Sequence, residues 1–174
     1  MTSRRRFLEG GALVAAGAIL GGGVPLLGQA QNPAPPAPAA KAPDRGPRLE
    51  NDLVREFVGA GHGNLEKTRD LLGKQPALIN ATWDWGGGDW ETALGGASHM
   101  GSREVAEYLL TQGARMDVFC AAMLGKIEIV KAFLADDPKV IDLKGPHGIP
   151  LLRHAQAGKQ DAVVELLLAR GAKA

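Results

Sequence analysis

Four times along this chain a glycine is followed three residues later by an acid, and five residues beyond that by a pair of large apolar residues. The copies are Gly63-Asn-Leu-Glu66 leading to Leu71-Leu72, Gly101-Ser-Arg-Glu104 leading to Leu109-Leu110, Gly125-Lys-Ile-Glu128 leading to Phe133-Leu134, and Gly158-Lys-Gln-Asp161 leading to Leu166-Leu167. Such self-similarity predicts one supersecondary unit used repeatedly. In the third copy Ile127, Val130, Phe133 and Leu134 share one helical stripe, so the unit contains an amphipathic helix. Each acid falls in a first turn, where a carboxylate complements the exposed N–H groups. Gly113 and Gly171 are suited to end two of these helices, and Pro76 and Pro138 forbid continuation of the others. A single helix of this kind cannot bury its stripe alone, so neighbours must stack.

A run of small residues precedes most of these glycines: Ala97-Ser98-His99-Met100, Ala121-Ala122-Met123-Leu124 and Ala155-Gln156-Ala157. Small side chains let two helices approach closely, which predicts an antiparallel helix pair per unit. The unit resembles an ankyrin repeat. Thr92-Ala93-Leu94, Ala97, Gly101, Val105, Leu109-Leu110 and Gly113-Ala114 carry the resemblance in the second copy. Ile149-Pro150-Leu151, Ala155, Gly158, Val163, Leu166-Leu167 and Gly171-Ala172 carry it in the fourth. The turn histidine of that family is replaced by Gly95 and Leu152, and His154 stands where alanine is usual. The resemblance implies an all-α ankyrin-repeat solenoid over residues 48–174, with short β-turn fingers and repeats at about 49–82, 90–116, 117–144 and 148–174.

The glycine spacing departs from a regular period: 63 to 101 is long, 101 to 125 is short, and 125 to 158 matches about 33 residues. One finger is therefore expected to be enlarged and the next deleted, with Asp117 capping its helix directly after Gly113-Ala114. The enlarged finger, Asn80 to Trp90, holds all three tryptophans: Trp83, Trp85 and Trp90. Trp83 and Trp85 would share one side of an extended segment, and Gly86-Gly87-Gly88 would reverse the chain. Such rings either anchor a partner or cover the solenoid where the regular finger is missing. Asp84 and Asp89 read as turn residues. In the third finger Lys144 and His147 flank Gly145-Pro146 at the tip.

Near the start, Ser3-Arg4-Arg5-Arg6-Phe7-Leu8 resembles the twin-arginine export motif. A Gly/Ala-rich core and Gly28-Gln29-Ala30 follow it as a small-x-small cleavage site. Residues 1–30 are expected to be a signal peptide and 31–47 a Pro/Ala-rich tether. Gly21-Gly22-Gly23 and Pro25 break the apolar run, so no stable membrane insertion is expected once the leader is cut. Without Arg4, Arg5, Arg6 and Glu9 the formal charge moves from +1 to −1, which gives no electrostatic footprint for nucleic acid. Cys120 is the only cysteine, and it reads as buried packing.

Histidines 62, 99, 147 and 154 form no His-x-x-x-His pair, and no second cysteine exists to complete a zinc site. His62 and His99 lie at equivalent helix ends, where an imidazole suits the carbonyl dipole. No triad, nucleophile elbow or phosphate loop is legible. From sequence, then, the chain is expected to be a non-enzymatic interaction module in the bacterial periplasm, without cofactor or metal, serving a protein partner such as a periplasmic enzyme. Its expected contact residues are Trp83, Trp85, Trp90 and His147. The alternative reading is a sugar or peptide binder gripped by the three tryptophans.

Overall fold

Glycine, proline and cap residues cut the chain into short helices, and a computed structural model describes residues 46–173. The expected leader, and all but the last two residues of the expected tether, lie outside the described residues. The first hairpin pairs α1 (Asn51–Gly61) with α2 (Leu65–Lys74). Asn64 caps α2 by accepting the Lys67 N–H at 3.0 Å. A 3-10 turn at Pro76–Asn80 leads into β1 (Thr82–Asp84) and the antiparallel β2 (Trp90–Thr92), in the register Thr82 to Thr92, Trp83 to Glu91 and Asp84 to Trp90.

The second hairpin is α3 (Ala93–Met100) and α4 (Arg103–Thr111). Thr92 caps α3 through the Gly95 N–H, and Gly101 ends it at φ 70°. The third is α5 (Val118–Met123) and α6 (Ile127–Asp136), with the Asp117 carboxylate accepting the Cys120 N–H at 2.7 Å. After 3-10 turns at Pro138–Asp142 and Pro146–Gly148 come α7 (Leu151–Ala157) and α8 (Asp161–Ala169). Glu66, Glu104, Glu128 and Asp161 all sit in first turns.

The apolar stripes are buried as their spacing demands, with one exception. Leu71 and Leu72, Val105 and Leu109, and Val163 and Leu167 are buried, whereas on α6 Val130 and Leu134 turn inward and Phe133 is exposed. One group of core residues gathers around Phe57, Val58, Leu78, Leu109 and Met123, and a second around Val130, Leu151, Leu152 and Leu167.

The packing corrects the expected solenoid. In a solenoid each unit touches only its neighbours. Here α3 packs on α1 and α5, and also directly on α7, skipping the α5–α6 hairpin. Ser98 on α3 and His154 on α7 share a buried hydrogen bond of 2.8 Å, and Gly101 lies so close to the Ala157 carbonyl that a methyl group would not fit between them. The cause is local. The helix packed against both of them, α5, is only six residues long, and its Ala121 and Ala122 are too thin to hold α3 and α7 apart. The described residues form a compact helical bundle with a single two-stranded hairpin, β1–β2, in place of a ladder of fingers. Among them no helix is long and apolar enough to cross a membrane.

Candidate metal centre

The β1–β2 hairpin turns one side chain inward. Asp84 Oδ1 accepts the N–H groups of Gly86 and Gly88 at 2.8 and 3.2 Å, a local turn that reverses the chain. All three glycines there have positive φ, a region glycine enters without steric cost. Strand alternation then turns the Trp90 side chain outward and the Glu91 side chain inward. Glu91 is a fully buried carboxylate.

Three imidazoles surround it. His62, at the end of α1, places Nε2 3.4 Å from Glu91 Oε2. His99, in the last turn of α3, places Nε2 2.9 Å from Oε1. His147, from the turn before α7, places Nε2 3.5 Å from Oε2. One donor atom from each of the four residues lies within 4.8 Å of all the others.

The outer nitrogens fix what the inner ones offer. His62 Nδ1 lies 3.2 Å from the Val58 carbonyl, which can only accept, so the proton is on Nδ1. His147 Nδ1 lies 2.6 Å from Asp89 Oδ2, and the same carboxylate accepts the His147 backbone N–H at 2.8 Å. That double grip holds His147 at φ 58°, ψ 19°, a left-handed conformation that costs a non-glycine residue about 1–2 kcal/mol. The neutral forms of both rings therefore point Nε2 lone pairs at a carboxylate. On Glu91 itself, the Trp85 indole N–H donates to Oε2 at 2.7 Å.

Burial pushes Glu91 toward protonation, but hydrogen bonds from His99 and Trp85 and the pull of His62 and His99 outweigh it and hold the carboxyl below its usual range. Asp89 is also held low, first by the His147 backbone N–H. Beneath the cluster, burial drives the His154 imidazole down to about 4, with His99 adding to the effect and Glu91 opposing it.

Lone pairs facing a carboxylate repel unless positive charge lies between them. Supplying it with protons would put imidazolium rings at centroid separations of 4.9, 5.2 and 6.4 Å, where like charges disfavour one another. One divalent ion supplies it without that cost. Four donors around zinc stand roughly 3.3 Å apart, close to the 2.9, 3.4 and 3.5 Å separations from Glu91. The Asp89–His147 and Val58–His62 contacts match the partners that ligating histidines use to fix their tautomer.

No protein-family profile matches this chain, and neither does any curated protein. The ankyrin resemblance therefore rests on the quoted residues alone, and the packing departs from it. The expectation of a metal-free, non-enzymatic interaction module is also corrected, because three imidazoles and a carboxylate form a ligand set on which metal-assisted chemistry is built. His62 does serve the end of α1 through Nδ1, as a helix-end histidine should, but its Nε2 has this second use.

Of the expected contact residues, Trp83 is half-buried against the first core group, Trp85 is bound to Glu91, Trp90 is 60% exposed, and His147 joins the cluster. Of the two expected turn residues, Asp84 closes the turn, whereas Asp89 holds His147. Glu91 escaped the sequence reading altogether. The available signal was that His62 and His99 end the first helices of successive hairpins, which stacking brings side by side.

Proposed function

We propose that this protein binds a divalent first-row transition metal ion through His62, Glu91, His99 and His147, and that the ion is its functional centre. The observation that carries the reading is the convergence of two tautomer-fixed imidazoles on one buried carboxylate. A nitrogen-rich set of this kind suits zinc, copper, nickel or iron better than magnesium or calcium, which take oxygen ligands. Trp85 and Asp89 act through the ligands they hold, the first orienting Glu91 and the second His147.

The test is calorimetric titration of chelator-treated protein with Zn(II). One ion per chain is expected for the wild type. Glu91→Gln and His99→Ala, each checked for native helicity, should lose that binding. Asp89→Asn, which leaves all four ligands in place, should weaken it by about 10–100-fold. Equal heats from wild type and from a variant lacking His62, His99 and His147 would refute the assignment.

A further inference from the structure

The cluster is closed on one side and open on the other. Glu91 and His99 form the closed side, with side-chain exposures of 0% and 7%. His62 and His147 flank the opening at 27% and 34%, and theirs is the widest ring separation of the three, 6.4 Å. The Trp85 ring stands over that gap, 6.3 Å from His62 and 6.2 Å from His147, and is itself 41% exposed. An ion held by these four residues would thus lie at the floor of a short opening, reachable past the edge of one indole.

Charge says what would enter. A divalent ion with one carboxylate and three neutral imidazoles carries a residual charge of about +1 in a partly dry setting, and bound cations dominate the local field. The Asp89 carboxylate is turned onto the outer nitrogen of His147, where it does not occupy the opening. Fully enclosed metal sites are structural, whereas sites that act on a ligand keep a position free.

We propose that the ion held by these four residues accepts a fifth ligand on the Trp85 side, and that this position takes a small anion through an oxygen or nitrogen donor. Hydroxide, a carboxylate and azide belong to that class. The inference rests on the metal reading above and assigns the site to ligand activation instead of fold stabilisation. At such a position the ion polarises a bound oxygen or lowers the pKa of a bound water.

Cobalt(II) substitution tests both levels separately, because its visible bands report coordination number. Loading the chelator-treated protein with Co(II) should produce bands that His99→Ala abolishes. Adding azide, and separately acetate, should then change those bands saturably, with a loss of intensity as the coordination number rises. Co(II) bands that ignore both anions would overturn the open position while leaving the metal site standing. Absence of any bands distinct from free Co(II) would overturn both. A spectral response in His99→Ala equal to that of wild type would show that the anion meets cobalt elsewhere, and would also overturn the assignment.

Discussion

At Gly101 two separate demands fall on one residue. Its φ of 70° is left-handed, and a methyl group there would collide with the Ala157 carbonyl of α7. Gly113 meets only the first demand, since its φ is 94° and nothing lies near the position of a Cβ. The left-handed conformation costs about 1–2 kcal/mol for an L-residue, and forcing a group into a packed contact adds about 1–3 kcal/mol. Gly113→Ala should therefore lower the unfolding free energy by about 1 kcal/mol and Gly101→Ala by about 3 kcal/mol or more. Urea titration of the two variants checks this. Equal losses would mean that the α3–α7 approach is looser than these residues indicate.

Among the elements, α5 carries the most consequence for its length. Its Cys120 is fully buried, and burial, with the Asp117 charge adding to it and Lys126 opposing, pushes the thiol up to about 12 from an ordinary 9.0. An acid whose folded pKa is raised keeps its proton in the folded state while the unfolded chain ionises. Stability is then fully present below about pH 9 and is lost as pH rises from there toward 12. The loss should approach about 1.4 kcal/mol per pH unit. Cys120→Ala removes that slope at a roughly constant packing cost, so the gap between wild type and variant should narrow from pH 8.5 to about pH 10.5 in denaturant titrations. A constant gap would place the thiol in contact with water.

The same helix shows what the sequence could reveal. Its cap at Asp117, and the first-turn acids of α2, α4, α6 and α8, depend on residues within one turn, and those were legible. The α3–α7 contact depends on the thickness of α5, and Phe133 is exposed because, among the described residues, α6 turns Val130 and Leu134 inward in its place. Neither follows from local pattern. For the site, Gly86-Gly87-Gly88 announced a reversal, but what it positions was hidden, because the His62 and His147 nitrogens are directed by Val58 and Asp89, which lie outside any ligand motif.

Across the whole molecule the four residues of the cluster lie between positions 62 and 147 and come from the end of α1, from β2, from the end of α3 and from the turn that precedes α7. The turn at Pro146–Gly148 is tied to the hairpin mainly through Asp89, and it rests on α3, where Pro146 lies against Gly95. An ion bound there would join the end of α1, β2 and the end of α3 to the turn before α7, adding to the Ser98–His154 bond between α3 and α7. Anything that binds only the folded state stabilises it by mass action, about 2.7 kcal/mol at one hundred times Kd. Zn(II) should therefore raise the unfolding midpoint in proportion to the logarithm of its concentration, and it should slow amide exchange at His147 and Gly148 more than in α8, which holds no ligand. His147→Ala discriminates between a local and a global effect. Removing that ring releases the turn but leaves His62, Glu91 and His99 in place, so residual Zn(II) binding should still protect the end of α1 while exchange at residues 147 and 148 no longer responds to the metal. Uniform protection in both proteins would mean that the ion stabilises the bundle without drawing the turn onto it.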